Sequence, residues 1–140
     1  MVEREGAGWR LAWDPQRHPF PLLIGGEDWA SELTSSEGLA LRQALDVLQR
    51  QHQDLASTLM AEESISLEFE LNTAQDGGGS LWVAMDGDRQ GWGLRFVLAG
   101  APGARSLEGV WRPGAAAAFT DALQGLDWPP REHVRDRSDP

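Results

Sequence analysis

Apolar residues recur along this chain with two different periods, and the changes of period divide it into strands and helices. Trp9, Leu11 and Trp13 alternate with smaller or polar residues, a period of two that predicts a strand with these three side chains inward. The apolar run at residues 20–24, which two glycines close, predicts a second strand. Residues 27–33 fit either a third short strand or an irregular lead-in to the next element.

A long amphipathic helix is predicted next. Residues 34–37 read Thr-Ser-Ser-Glu, the capping box in which Thr34 accepts from a first-turn amide and Glu37 reaches back. Leucines, with a histidine at one position, then recur three and four positions apart, which predicts about six helical turns with one stripe: Leu41, Leu45, Leu48, His52, Leu55 and Leu59. The favoured interpretation packs this stripe on the protein's own sheet. The alternative pairs it with the same helix of a second copy in a homodimer.

After residue 63 the period returns to two, and turns rich in glycine and aspartate separate the strands. The pattern predicts four of them, at residues 65–71, 81–86, 92–98 and 107–111. Strands in series with tight turns form an antiparallel meander. A shorter alanine-rich helix follows at 115–126. The predicted fold is α+β, in the order β-β-(β)-α-β-β-β-β-α, with residues 1–127 as one domain and 128–140 as a flexible C-terminal tail.

A short motif occurs twice in the sequence. Gly-Trp-x-Leu stands at residues 8–11 and again at 91–94, and a tryptophan precedes each helix, at Trp29 and Trp111. Duplication of a strand–strand–helix unit would explain the repetition, and so would chance, since short motifs recur without common origin.

The composition narrows the class of protein. A chain of 140 residues with 41% apolar content has the size and composition of one globular domain. The absence of cysteine excludes disulfides and thiolate sites. The N-terminus lacks the layout of a signal peptide, and no apolar run approaches the roughly 20 residues that cross a bilayer. The sequence therefore predicts a soluble cytoplasmic protein with no membrane partner.

The charge bears on the kind of partner. The formal net charge is −10, and all 12 positive side chains are arginines. Nucleic-acid affinity depends on cationic side chains that displace counterions from phosphates, so an acidic chain is disfavoured as a nucleic-acid binder. An unknown protein is the expected partner.

No residue pattern indicates catalysis. Residues 86–91 resemble the opening of a calcium loop, but position twelve falls on Val97, so a turn explains them better. The carboxylates at residues 62–63, 68 and 70 have no histidine at ligand spacing, and His52 fits the edge of a core. Nucleophile-elbow and phosphate-loop spacings are absent. We therefore expect a protein that is not an enzyme, with no catalytic residues, no metal site and no cofactor.

The outer face of the sheet is the remaining functional surface. The alternation directs positive and aromatic side chains outward, and these form the candidate binding face: Arg10, Trp82, Arg95 and Arg112. Glu68, Glu70 and Glu108 share that face, so cross-strand ion pairs are the favoured role. The candidate partner contacts are Glu27 and Trp29, and Trp29, Trp82 and Trp128 are the tryptophans expected to be exposed.

Four segments of the chain resemble a known family. They are Gly6-x-Gly8-Trp9-Arg10-Leu11, residues 23–34 (Leu-Ile-Gly-Gly-Glu-x-Trp-Ala-x-Glu-Leu-Thr), residues 59–65 (Leu-Met-x-Glu-Glu-x-Ile) and Glu108-Gly109-x-Trp111. They are similar to an uncharacterised cyanobacterial family, the domain of unknown function 1818, over roughly residues 6–126. The resemblance implies curved antiparallel sheets packed with helices, as in the Whirly single-stranded-DNA-binding fold, often as a helix-mediated dimer. It carries no catalytic residue, and the lysine-rich DNA-contacting motif of Whirly proteins has no counterpart here.

Overall fold

The computed structural model describes residues 1–73, 79–100 and 105–128 and contains eight strands and two helices. The order is β1 (Val2–Gly6), β2 (Trp9–Trp13), β3 (Leu22–Gly25), β4 (Ala30–Leu33), α1 (Ser35–Ala56), β5 (Ser64–Asn72), β6 (Ser80–Asp88), β7 (Trp92–Ala99), β8 (Ser106–Trp111) and α2 (Ala115–Gln124). The α+β prediction is confirmed.

The strands form two separate antiparallel sheets. Strands β1 to β4 pair in sequence order as sheet A, and β5 to β8 pair in sequence order as sheet B. Within each sheet, short turns let consecutive antiparallel strands pair with each other. The two sheets are separate because the long helix α1 stands between β4 and β5 in the chain. Helix α1 packs on β5 and β6, and α2 contacts both β2 of sheet A and β7 of sheet B. The core therefore lies between the two sheets and the helices.

The helix α1 begins as the sequence predicts. The Thr34 hydroxyl accepts from the Glu37 amide at 3.2 Å, and the Glu37 carboxylate accepts from the Thr34 amide at 2.9 Å, which completes the capping box. Leu41, Leu45 and Leu48 are at most 1% exposed. The stripe packs on the protein's own core, as the favoured interpretation predicted.

The buried stripe of α1 is shorter at its C-terminal end than the sequence predicts. Helix α1 stops at Ala56, so Leu59 lies beyond it, and Leu55 is 42% exposed. The reason is the length of sheet B. The β5–β6 ladder ends at the Ser64–Asp88 pair, and His52 Nε2 contacts the Asp88 carbonyl at 2.7 Å. The helix extends past this end of the sheet after His52, so Leu55 lies beyond the strands that bury the rest of the stripe.

Strand β1 was not predicted. Its sequence, Val-Glu-Arg-Glu-Gly, has no alternating apolar residues, and all but Val2 are exposed. It is an edge strand that pairs with β2 over its whole length. An edge strand with charged side chains is common in natural sheets, because charge there opposes pairing with other chains. Residues 27–33 resolve into a turn followed by β4.

The predicted boundary of the C-terminal tail falls within the core. Trp128 is 3% exposed and its ring lies 4.9 Å from that of Trp13, so its expected exposure is wrong. The Trp128 carbonyl accepts a hydrogen bond from Arg42. The remainder of the predicted tail, 129–140, lies outside the described residues, as do the glycine turn at 74–78 and the loop at 101–104.

The repeated motif does not follow the repeated topology. Each half of the chain is a four-stranded sheet followed by a helix, yet Gly-Trp-x-Leu leads into β2 in the first half and β7 in the second. In a strict repeat β2 would be equivalent to β6, the second strand of the second half, and the motif would stand at both. The motif is therefore out of phase with the halves.

Candidate functional site

The candidate binding face is divided between the two sheets. Arg10 is exposed on β2 of sheet A, opposite Gly25 in the ladder, while Trp82 and Arg95 lie on β6 and β7 of sheet B. Arg112 follows β8 and pairs with Glu27 at 3.3 Å. The prediction of one continuous face is wrong for Arg10, because the strands before and after α1 do not join in one sheet.

The outer face of sheet B carries a small aromatic and charged cluster. The Trp82 indole nitrogen donates to the Glu68 carboxylate at 3.2 Å, and the Arg95 guanidinium lies 5.3 Å from the Trp82 ring centroid. These cross-strand contacts are a hydrogen bond and a cation–π contact rather than the ion pairs that the sequence favoured. Among the described residues of this face, the exposed carboxylates outnumber Arg95: Glu68, Glu70, Asp86 and Glu108. The potential there is mixed and predominantly negative.

A groove of about 620 Å3 opens where the two sheets and α2 meet. We call it the tryptophan groove. The first residue of β2 contributes Trp9, the β3–β4 turn contributes residues 27–29, and the segment that leads from β8 into the start of α2 contributes residues 112–115. It thus joins both predicted partner contacts, Glu27 and Trp29, to Arg112. Trp9 was predicted to point inward, and it is half-buried at the groove wall.

Trp29 is a structural element of this groove as well as part of its surface. Its indole nitrogen donates to the Val110 carbonyl at 2.9 Å, and its ring lies 5.1 Å from Trp111 and 5.6 Å from Phe96. Trp111 in turn donates to the Gly25 carbonyl at 2.9 Å. Two indole hydrogen bonds in opposite directions therefore connect sheet A to β8 of sheet B.

Two glycines make room for the Trp29 ring. A Cβ atom at Gly26 would lie 2.1 Å from the Trp29 indole nitrogen, and one at Gly109 would lie 2.5 Å from the same ring. Both distances are far below van der Waals contact, so only glycine allows this approach. The Glu-Gly-x-Trp segment at 108–111 places one of these glycines two residues before Trp111.

We expect Gly109→Ala to lower the free energy of unfolding by about 1–3 kcal/mol, since overpacking displaces Trp29 and Phe96. Urea denaturation followed by circular dichroism measures the change. Gly91→Ala is the matched control, because a Cβ atom there meets nothing within 4 Å. Equal stability of the two variants would contradict the close packing of the Trp29 ring against Gly109.

The charged groups of the tryptophan groove are accessible. The Arg112 and Glu27 side chains are 78% and 62% exposed, and Asp28 is exposed beside them. An exposed ion pair contributes about 0–1 kcal/mol to stability. These three side chains are therefore free to exchange their present contacts for a partner's at small cost.

The strongest electrostatic cluster lies elsewhere, at the start of α1. Both guanidinium nitrogens Nη1 and Nη2 of Arg105 contact the Glu37 carboxylate, at 3.0 and 2.5 Å, and Nη2 also donates to the Glu32 carbonyl at 2.8 Å. Burial raises the pKa of Glu37, but the hydrogen bonds from Arg105 and Thr34 outweigh burial and lower that pKa overall. This fully paired carboxylate is structural. The sequence revealed Glu37 by its capping box, and gave no signal for Arg105.

Two of the residues considered for catalytic or metal roles, His52 and Asp88, make structural contacts. His52 is 6% exposed and packs 6.2 Å from Trp92, and its Nε2 must donate because a carbonyl only accepts. Asp88 accepts from the amides of residues 90 and 91, which confirms a turn at the calcium-like sequence. Across residues 1–73, 79–100 and 105–128 there is no group of three or more His, Asp or Glu side chains that could hold a metal ion.

Neither helix in the described part of the chain is long and apolar enough to cross a membrane.

Comparison with known proteins places the chain in a family. The family model of a domain of unknown function, DUF1818, matches residues 4–126. The crystal structure of a protein with unknown function from the DUF155 family of Prochlorococcus sp. NATL2A is 33% identical in sequence. The similarity covers 89% of this chain and 97% of that chain, with a TM-score of 0.77. No curated protein matches. Since the family model spans most of the chain and confirms the resemblance seen in the sequence, this protein belongs to the DUF1818 family.

Proposed function

We propose that this protein is a non-enzymatic protein-interaction module and that the tryptophan groove holds its partner. One observation carries the proposal: Trp9 and Trp29 are half-buried in the walls of a groove of about 620 Å3 whose rim bears exposed charges. Tryptophan and arginine are enriched where proteins bind one another, with apolar area at the centre and polar groups around it.

The chemistry of the groove favours a protein over a small substrate. A small-ligand site encloses its ligand and converges a few buried polar groups on it. Here the charged lining residues are exposed, and Glu27 and Arg112 already contact each other. An open groove of this kind suits a protein side chain that covers Trp29 while its polar neighbours meet the rim. A cytoplasmic setting agrees with the cysteine-free sequence.

Site-specific photo-crosslinking tests the proposal. A photoreactive residue is placed at Asp28 in the groove, or at Asp54 on α1 as the matched control, since both aspartates are exposed. We expect a reproducible crosslinked protein from position 28 in a lysate of the source organism and none from position 54. Trp29 is left unchanged because it also supports the fold. Crosslinks of equal identity and yield at both positions would contradict a groove-specific partner.

Single-stranded nucleic-acid binding is the second candidate function. The Whirly-like fold that the sequence resemblance implies suggests it, and the Arg95–Trp82 pair on the outer face of sheet B is an arrangement that can stack a base. The excess of carboxylates around that pair opposes it. Fluorescence anisotropy of an unstructured oligonucleotide decides: saturable binding at about 20 mM salt that weakens steeply as salt rises would support this candidate. We expect no saturable binding.

A homodimer is compatible with the proposal, but the leucine stripe of α1 does not supply its interface. Leu41, Leu45 and Leu48 are buried within one chain. A dimer would therefore use other surfaces, and light scattering coupled to size-exclusion chromatography measures its presence.

A further inference from the structure

Sheets A and B present four edge strands, and three of them are protected. The Val110 carbonyl of β8 accepts from Trp29, and the Glu32 carbonyl of β4 accepts from Arg105. Strand β1 is only five residues long and bears exposed charges. Natural proteins protect sheet edges in these ways because unpaired N–H and C=O groups invite another strand.

Strand β5 is the fourth edge. Like β1 it bears exposed charges, at Glu68 and Glu70, but it is longer than β1, and in the described part of the chain no side chain of another segment hydrogen-bonds to its backbone. It is nine residues long, contains neither proline nor a basic side chain, and pairs on one side only, with β6. Within the described residues, no hydrogen bond from another segment reaches the backbone of residues 64–72. Alternate residues of an antiparallel edge direct both backbone groups away from the sheet. A row of donors and acceptors is thus available along β5.

The two faces of β5 differ in chemistry. Glu68 and Glu70 are exposed on the outer face, whereas Leu67, Phe69 and Leu71 are half-buried on the inner face beside α1. A strand added next to β5 would place its alternate side chains against these two sets. Directly opposite residues of adjacent strands lie about 4.5–5.5 Å apart at Cβ, so charge sign and apolarity at alternate positions decide the pairing.

We propose that β5 is a docking edge for an extended segment of a partner protein with Lys or Arg at alternate positions and apolar residues between them. The basic side chains pair with Glu68 and Glu70, and the apolar ones extend the surface formed by Leu67, Phe69 and Leu71. The backbone of the segment completes the hydrogen-bond ladder, which is the strand-addition mode of peptide recognition. Strand β5 lies at the edge of sheet B opposite to β8, where the tryptophan groove is, so the two surfaces are independent.

A second copy of this chain fits the edge poorly. Antiparallel self-pairing about Glu68 sets that carboxylate against its own copy, and self-pairing about Phe69 sets Glu68 against Glu70. Pairing about Leu67 moves Glu68 opposite Ser66 but leaves Glu68 diagonal to its copy. Like charges at these positions are destabilising. A basic segment from another protein has the complementary pattern.

Binding of a blocked synthetic peptide of alternating Arg and Val to the full chain tests the proposal, with alternating Glu and Val as the control peptide. We expect saturable binding of the basic peptide alone, and slower hydrogen exchange at alternate backbone amides of β5. The exchange measurement uses the unmodified protein, so it is independent of how any variant folds. Binding that leaves β5 exchange unchanged, or no saturable binding, overturns the proposal.

Charge variants sharpen the test. The double variant Glu68→Gln with Glu70→Gln should weaken binding of the basic peptide by about tenfold, since two opposite-charge pairs are lost. Glu108→Gln removes the same charge from the same sheet face on β8, and should leave the affinity unchanged. Equal weakening by Glu108→Gln would show a general charge effect and overturn the proposal.

A further full-chain variant distinguishes the chain's own C-terminal sequence as an occupant. Basic side chains alternate there, at Arg131, His133, Arg135 and Arg137. If replacement of Arg135 and Arg137 by serine tightens peptide binding tenfold or more, the edge belongs to this sequence and the partner proposal is overturned. Unchanged affinity supports a separate protein.

Discussion

Replacing Trp111 with alanine is expected to lower the free energy of unfolding by about 3–5 kcal/mol, which is the largest effect we expect from one side chain. Trp111 is 1% exposed, and its ring lies 4.2 Å from Phe119 and 5.5 Å from Phe96. The truncation leaves a cavity where β8, α2 and the β3–β4 turn meet. Domains of this size are stable by about 5–15 kcal/mol, so the variant retains only part of its stability. Urea denaturation followed by circular dichroism measures the loss.

Trp111→Phe separates packing from hydrogen bonding at this position. Phenylalanine keeps an aromatic ring but removes the donor to the Gly25 carbonyl. We expect a smaller loss, about 1–3 kcal/mol, from the smaller ring and the carbonyl left without its partner. A loss as large as that of Trp111→Ala would show that the indole hydrogen bond between the sheets dominates. A loss near zero in both variants would contradict the proposal that Trp111 connects the two sheets.

Replacing Glu37 with glutamine is expected to be the second most destabilising change, by about 2–3 kcal/mol at neutral pH, because Arg105 loses its charged partner in a largely buried position. The capping hydrogen bond to the Thr34 amide can persist, since glutamine retains an acceptor oxygen. Glu27→Gln is the matched control: its partner Arg112 is exposed, and we expect a change of at most about 0.5 kcal/mol. Equal effects of the two substitutions would contradict the structural role of the Glu37–Arg105 pair.

The pH dependence of stability follows from the lowered pKa of Glu37. A carboxyl whose pKa is lower in the folded state than in the unfolded state stabilises the fold above its unfolded pKa. That contribution is lost as the pH falls through the folded pKa. Glutamine resembles the protonated carboxyl in shape and charge. We therefore expect the stability difference between the wild-type protein and Glu37→Gln to stay constant from neutral pH down to the ordinary glutamate pKa of 4.5 and to narrow as the pH falls further. A difference that does not narrow below that pH would exclude the ion pair as its source.

The sequence predicted most of the elements because period and capping are local properties. The alternation in residues 65–71 and the Thr34–Glu37 capping box each express a preference that a short segment has on its own, and both are confirmed. Strand β1 was missed for the same reason. Its residues carry no apolar period, and only the ladder with β2 makes them a strand.

The candidate site was predicted in part. Glu27, Trp29 and Arg112 do meet, at the tryptophan groove, although the sequence assigned Arg112 to a different surface. Arg10 was placed with Trp82 and Arg95 because alternation tells which side of its own sheet a residue faces. Alternation does not tell which sheet a strand joins.

Tertiary structure also gave several residues roles that composition concealed. Trp128 was expected at the surface of a tail and is buried against Trp13, and Trp29 was expected only as a partner contact and also joins the sheets. Arg105 is far from Glu37 in sequence, and nothing local marks it as the partner of that carboxylate.

The sequence by itself determined the α+β class, the capped helix that turns its leucine stripe inward, and the family. Tertiary structure alone decided that there are two sheets, that a groove forms where they meet α2, and that β5 pairs on one side only within the described part of the chain. The physical reason is the separation in sequence over which each kind of interaction acts. Hydrophobic period and capping act over a few residues, whereas a sheet joint, a groove and an open edge depend on contacts between segments that lie tens of residues apart.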